Sequence, residues 1–195
     1  GAFTSTTIDA TKLTGNLPAV NASALTNLTA ANLTGALPAI SGASLTGLTS
    51  SQMPTGSVLQ TVTANILGTT TTTSSSFGST VVAATITPSS TSSKILIMMN
   101  GGMNGFAGGS GGQVGYTKIY RGTTALESTT KGSGVFYFDS PDVYCNLSVS
   151  IEDSPSTTSA TTYTLYAKRA SGNGTFSINR DGNNHMHVIL MEIAG

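Results

Sequence analysis

VYCNLSVSIEDSPSTTSATTYTLYAKR, residues 143–169, is the stretch that decides the fold class of this chain. It holds two runs rich in β-branched and aromatic residues, 143–152 and 162–169, with Asp-Ser-Pro at 153–155 between them. β-Branched and aromatic residues favour strands, whereas Asp, Ser and Pro favour turns. The stretch therefore predicts two β-strands joined by a loop.

The same alternation of strand-like runs and turn residues extends in both directions along the chain. Further strands are predicted at 79–87, 93–100, 114–122, 134–138, 174–179 and 185–194. Asp, Asn, Gly, Pro and Ser separate these runs, as turn chemistry requires. Eight or nine such strands within residues 57–195 predict an all-β head, a jelly-roll-like β-sandwich large enough to enclose its own core.

Residues before position 57 follow a different pattern, a repeat with a period of 20 residues. LTGNLPAVNASALTNLT at 13–29 returns as LTGALPAISGASLTGLT at 33–49. A period of this size is typical of stacked or fibrous units. Pro18, Pro38 and the recurring glycines favour short extended or single-turn pieces joined by tight bends, and a broken helical coil is the alternative.

The apolar residues of this repeat predict self-association. Large apolar side chains recur through residues 8–53, and the rest are mostly Thr, Ser, Asn, Ala and Gly. One such segment has nothing of its own to pack against, although each Leu or Ile removed from water contributes roughly 1.5–3 kcal/mol. Three identical chains around one axis are the simplest closed arrangement. We therefore predict that residues 1–56 form a repetitive trimerising shaft and that the protein is a homotrimer.

Composition argues against several partners. The chain has 8 basic and 8 acidic residues, so it lacks the basic footprint of a nucleic-acid-binding protein. No apolar run approaches the roughly 20 residues of a membrane span, so no membrane insertion is predicted. The single cysteine, Cys145, excludes an intrachain disulfide, and we expect it to be buried on a strand. Because the chain begins with Gly, we expect an unknown length of protein before residue 1.

Several phrases of the sequence resemble a C-terminal domain common in bacteriophage tail fibres. They are STSSKILI (90–97), EDSPSTTSATTYTLYAKR (152–169), SINRDG (177–182) and ILMEIAG (189–195), and the LTGxLPA repeat resembles the shafts that precede such domains. The resemblance implies a homotrimeric fibre of the virion, extracellular and joined to other tail proteins. Its head would bind a host glycan or outer-membrane protein.

Two other functions remain open at this point. One is a structural fibre or decoration protein of the collar, capsid or connector, in which the head is only a trimerisation cap. The other is an adhesin on a bacterial cell surface, which would need an export signal upstream of residue 1.

Two sets of residues are candidate receptor contacts. GGMNGFAGGSGGQVG at 101–115 has eight glycines and lacks the phosphate-loop patterns, and the tail-fibre resemblance implies a receptor loop that presents Asn104 and Phe106. A flexible strand connection without a ligand is the alternative. Tyr116 and Tyr120 share one side of a predicted strand and flank Lys118, a combination that can hold a neutral or acidic glycan. These rings can equally fill the core or a subunit contact.

His185 and His187 are the candidate metal ligands. The H-x-H spacing puts both on one face of a strand, and three chains around an axis would offer six imidazoles. Iron-binding H-x-H arrays in the long tail fibres of T-even phages are a precedent by analogy. Ordinary packing or surface exposure is the alternative, and no other cofactor is predicted.

The carboxylates do not predict catalysis. A glycan-cleaving site needs two carboxylates about 5–9 Å apart. The close pairs in this sequence, Asp139 with Asp142 and Glu152 with Asp153, lie at turns beside proline, where Asp commonly caps backbone amides. We therefore do not expect the protein to be an enzyme.

Overall fold

A computed structural model of the chain describes residues 49–127, 129–140, 142–181 and 183–195. The predicted shaft up to residue 48 lies outside them, so its packing, its trimerisation and its boundary at residue 56 stay predictions. The described part starts with one turn of 3-10 helix at Ser50–Gln52. It has no helix of the length and apolarity that crossing a bilayer demands.

Strands make up most of the described residues, and every strand pairing found there is antiparallel. The eleven strands described are β1 (Val58–Ile66), β2 (Thr70–Thr72), β3 (Gly78–Ile86), β4 (Lys94–Ala107), β5 (Gln113–Arg121), β6 (Thr124–Ala125), β7 (Gly134–Phe138), β8 (Tyr144–Asp153), β9 (Thr161–Ser171), β10 (Thr175–Ile178) and β11 (Met186–Ile193). The all-β prediction is therefore confirmed for this part of the chain.

The strands form two sheets. In the first sheet, β4 lies between β8 on one side and β11 on the other, and β1 is the edge strand beyond β11. The far end of β4 pairs with β10, which in turn pairs with β2. In the second sheet the order is β3, β9, β5, and the outer edge of β5 pairs with β7 and then β6.

Buried side chains of both sheets form one hydrophobic cluster. Strand alternation decides which residues enter it, since successive side chains point to opposite faces. In β11, for example, Met186, Val188 and Leu190 are fully buried while His187 is exposed. Each such aliphatic side chain contributes roughly 1.5–3 kcal/mol, so this core holds the sheets together.

All eight strands predicted from the sequence are present, and most ends agree within two residues. The prediction missed β1, β2 and β6. β1 is an edge strand whose inward residues Val62, Ala64 and Ile66 are only partly buried, so its apolar signal is weak. The short strands β2 and β6 are polar or only two residues long.

The glycine-rich stretch 101–115 is mostly strand and not a loop. β4 continues through it to Ala107, and the turn to β5 occupies only residues 108–112. Gly101 and Gly102 have positive φ angles of 99° and 70° and create a bulge where the register with β8 shifts. A Cβ on Gly101 would lie 2.5 Å from the backbone oxygen of His185. These glycines therefore serve a bulge and a close strand approach.

Candidate receptor-binding face

The outer face of the second sheet carries a group of aromatic side chains. On β5, Tyr116 and Tyr120 face outward while Ile119 is fully buried on the other side. The register places Lys168 of β9 opposite Tyr116 and Tyr166 opposite Lys118. We call this group the aromatic face, and its members are Phe77, Tyr116, Tyr120, Tyr137, Tyr166 and Lys168.

Three rings of the aromatic face lie against one another. Tyr120 and Tyr166 stack with ring centroids 3.9 Å apart, and the Phe77 ring lies 6.5 Å from that of Tyr120. Tyr137 on β7 is the most exposed member, with 62% of its surface accessible. Flat rings with hydroxyl groups at their margins present an apolar body and a polar tip. The face can therefore stack against a sugar ring and hydrogen-bond its hydroxyls.

Lys168 adds a cation to this surface. Its Nζ lies 4.6 Å from the Phe77 ring centroid and 5.5 Å from that of Tyr116. Both distances suit cation–π contacts, which hold the ammonium group above the rings. Because the side chain is only partly buried, the ammonium can also reach a carboxylate or phosphate of a ligand.

Lys118 lies on the predicted face but is not available to a ligand. Only 7% of the residue is exposed. Its Nζ donates a hydrogen bond of 2.6 Å to the Thr129 backbone oxygen and lies 5.0 Å from the Phe77 ring centroid. The prediction that Lys118 contacts the receptor is therefore wrong, because Phe77 and the segment after β6 cover its ammonium group. Lys118 supports the aromatic face from beneath.

Glu127 holds that covering segment against β5. Its Oε2 accepts a 2.8 Å hydrogen bond from the backbone N–H of Ile119, and Oε1 accepts a hydrogen bond from the Ser133 hydroxyl. Burial raises the pKa of the Glu127 carboxyl, although the hydrogen bond from the Ile119 backbone and the charge of Lys118 oppose the rise. The segment that carries Thr129 is thereby fixed beside Lys118.

Asn104 and Phe106 are fully buried, so the prediction that they are presented to a receptor is wrong. The amide nitrogen of Asn104 donates to the Gly101 backbone oxygen at 2.9 Å, and its amide oxygen accepts from the backbone N–H of Asn179 at 3.0 Å. Phe106 stacks on Phe176 with centroids 4.9 Å apart. Both residues stabilise the bulged end of β4, because the strand continues where the sequence suggested a loop.

His185 and His187 are exposed near the start of β11, on the first sheet, with ring centroids 5.9 Å apart. His187 Nδ1 lies 2.7 Å from Asn65 Oδ1, within hydrogen-bonding distance. Among the described residues, one chain brings together no group of three or more potential metal ligands. A metal shared between chains stays a prediction.

Three of the four carboxylates of the close pairs contact bases, and Glu152 and Asp153 are the last residues of β8 and not turn residues as predicted. Glu152 contacts Lys94 at 2.8 Å, and Arg180 contacts Asp142 at 3.2 Å. Asp153 accepts from Arg121 at 2.9 Å and from the Tyr163 hydroxyl at 2.8 Å. These contacts give the carboxylates structural roles, and the absence of catalysis stays a prediction.

Cys145 lies on β8 as expected, but it is exposed and not buried. It shares strand parity with the inward residues Leu147 and Val149, but it is only the second residue of β8 and stays exposed.

Sequence reasoning missed four members of the aromatic face, namely Phe77, Tyr137, Tyr166 and Lys168. A signal for two of them was present, because Tyr-x-Lys occurs both at 116–118 and at 166–168, on strands that pair directly. Phe77 follows a run of serines and precedes β3, so nothing local indicates that it reaches over β5 and β9.

No family model and no curated protein sequence matches the chain.

Proposed function

We propose that this protein is a trimeric bacteriophage tail fibre whose head binds a host surface glycan or outer-membrane component without cleaving it. The aromatic face carries the proposal, because it joins stacked rings, phenol hydroxyls and one accessible ammonium on a single strand-built surface. The resemblance of the repeats and of the strand phrases to tail fibres supports a place in the extracellular virion, attached to other tail proteins.

The strand order supports a jelly-roll-like β-sandwich for residues 57–195. The row β1-β11-β4-β8 belongs to one sheet and the row β3-β9-β5-β7 to the other. Connections such as β1 to β3 and β9 to β11 pass from one sheet to the other, as in a double Greek key. An adhesive head of this kind presents its ligand-binding side chains on rigid strands.

Weak binding by each head is enough for attachment. A flat aromatic surface with one cation makes few polar contacts, so we expect modest affinity for a single site. Three heads on one shaft, and several fibres on one virion, multiply that affinity through effective concentration. The proposed homotrimer and the shallow site therefore fit together.

A panel of bacterial capsular polysaccharides and lipopolysaccharides, probed with the full chain, tests the proposal. We expect the full chain to bind at least one of them and the double variant Tyr116→Ala/Tyr166→Ala to lose most of that binding. Val81→Ala is the matched control, because Val81 is exposed on the same outer face but outside the aromatic group. The polysaccharide recovered after incubation should keep its original size. Binding by the double variant equal to that of the control would contradict the proposal.

A structural fibre is the second candidate, and the internal contacts of the aromatic face favour it. Lys118 is already satisfied by Thr129, and Tyr120 is already stacked on Tyr166, so the cluster is stable without a ligand. In that case the double variant would leave adsorption of the virion to its host unchanged. Loss of adsorption with intact particles distinguishes the receptor-binding function from the structural one.

A further inference from the structure

The outer face of the first sheet carries a strip of apolar side chains. Met98 of β4 lies between Ile189 of β11 and Ser150 of β8 in the strand register, and Leu96 lies beside Met191. We call this the apolar strip, and its members are Leu96, Met98, Ile189, Met191 and Ile193. All five are only partly buried, although the opposite face of these strands forms the core.

Uncharged residues surround most of the strip. Thr61 and Thr63 of β1 border Met191 and Ile189, and Ser150 of β8 borders Met98 on the other side. Asn65, His187 and Asn100 form a polar row at one end. The charged pair of Lys94 and Glu152 lies at the other end, where Lys94 pairs with Ile193 and Glu152 pairs with Leu96.

This distribution of charge fits contact with identical chains. Close to a three-fold axis, every side chain meets its own two copies, so a charge placed there would meet like charges at short range. Met, Leu, Ile and Thr can pack against their own copies without that cost, and Met adapts readily to irregular gaps. A strip with no charge at its centre is what such symmetry requires.

The chain reaches the first sheet beside the strip. Val58, the first residue of β1, pairs with Ile193 of β11. The segment before β1 is fixed there, because Gly56 donates to the Ala194 backbone oxygen and Ala194 donates to that of Ser57, both at 2.8 Å. If the residues before β1 associate as three chains, the first sheets of the three copies start close to one another.

The outer face of the first sheet is large enough for a contact between heads that the trimeric shaft also holds together. Four strands about 4.8 Å apart and seven residues at about 3.3 Å each span roughly 19 Å by 23 Å, on the order of 440 Å². The whole four-strand face, polar border included, is therefore about half of a standard interface per partner.

We propose that the apolar strip is the surface through which three copies of the head meet around the axis. The inference rests on the homotrimer of the proposed function. It assigns the first sheet to assembly and leaves the aromatic face of the second sheet free for the receptor.

Oxidation of the 195-residue chain by hydrogen peroxide tests whether the strip is buried. Met98 and Met191 should oxidise at least 10-fold more slowly than free methionine in the same solution. In the variant Ile189→Glu, the protection of both methionines should be lost, whereas Thr85→Glu on the second sheet should leave it intact. Rates for Met98 and Met191 equal to that of free methionine would overturn the proposal.

Cross-linking identifies what covers the strip. In a Cys145→Ser background, Ile189→Cys should form a covalent dimer with a short bismaleimide, and Thr85→Cys should not. Protection of the methionines without a cross-link means that another segment covers the strip, which overturns the proposal. If the particle has a mass of about three times 19.6 kDa but its methionines are not protected, the protein is a homotrimer and the apolar strip is not its contact surface. A particle of 19.6 kDa overturns both the homotrimer and the proposed contact surface.

Discussion

The ring of Tyr120 lies 3.9 Å from that of Tyr166, with the two planes inclined by 22°. The residues belong to different strands, and the stack forms because the register of β5 with β9 places Tyr166 opposite Lys118, two residues before Tyr120. Each ring limits the rotation of the other. A ligand that stacks on this pair meets a surface that is already ordered, so less entropy is lost on binding.

Tyr166→Ala removes one ring of the stack and leaves Tyr120 mobile. Interface residues of this kind contribute more than about 1 kcal/mol, so we expect the affinity of a single head for the bound polysaccharide to fall roughly 5–10-fold. Surface plasmon resonance with sparsely immobilised polysaccharide measures the dissociation constant of a single head. Val81→Ala serves as the control, and an unchanged dissociation constant for Tyr166→Ala contradicts the assignment of the aromatic face.

Lys168→Ala distinguishes an acidic glycan from a neutral one. If the receptor carries carboxylates or phosphates, loss of this ammonium should weaken binding several-fold in low salt and by less in high salt, since salt screens exposed charges. Lys131→Ala is the matched control, because Lys131 is exposed outside the aromatic face. Equal, salt-independent binding by both variants would show that the ligand is recognised without a charge.

Gly115→Ala should destabilise the head. A Cβ on Gly115 would lie 2.7 Å from the ring of Phe176, which is fully buried and stacked on Phe106 and so has little room to move. Overpacking of this kind costs about 1–3 kcal/mol. Gly78→Ala is the control, since a Cβ there meets nothing within 4 Å. Urea denaturation should show a lower midpoint for Gly115→Ala alone, and equal midpoints contradict the packing described here.

Glu192 gives the head a defined dependence on pH. Burial alone would raise the pKa of its carboxyl, but hydrogen bonds from Ser93, Gln60 and Ser89 outweigh burial and hold the pKa below its usual value of 4.5. A pKa that is depressed in the folded state means that the ionised carboxylate stabilises the fold above the unfolded pKa. The free energy of unfolding should therefore fall as the pH drops below about 4.5.

Glu192→Gln tests this assignment. An amide cannot accept hydrogen bonds from all four donors that face the carboxylate, so we expect a loss of about 1–3 kcal/mol at pH 7 and a flatter profile below pH 4.5. Glu152→Gln, which breaks only the exposed pair with Lys94, should cost less than about 1 kcal/mol. Urea titrations between pH 3 and 7 make the comparison, and parallel profiles for Glu192→Gln and the unmodified chain would contradict it.

The candidate site was only partly predictable from its residues. Tyr116 and Tyr120 were correctly placed on one face, because parity along a strand is a local property. Lys118 shares that parity, yet its ammonium is covered by Phe77 and by the segment that carries Thr129. Residues distant in sequence provide this cover, so no local pattern reveals it.

The sequence by itself determined the fold class and most of the strands, because alternation of apolar and polar residues and the positions of turn residues act over a few neighbours. Only the tertiary structure decided that Asn104 and Phe106 lie in the core. A bulge at Gly101 and Gly102 lets β4 continue through a glycine-rich stretch whose local sequence predicts a loop. The tertiary structure also decided which strands pair, and so which rings share a face. Strand pairing brings together residues that are distant in the chain. Which strands pair is decided by how both sheets pack against the common core, and no local stretch of sequence contains that information.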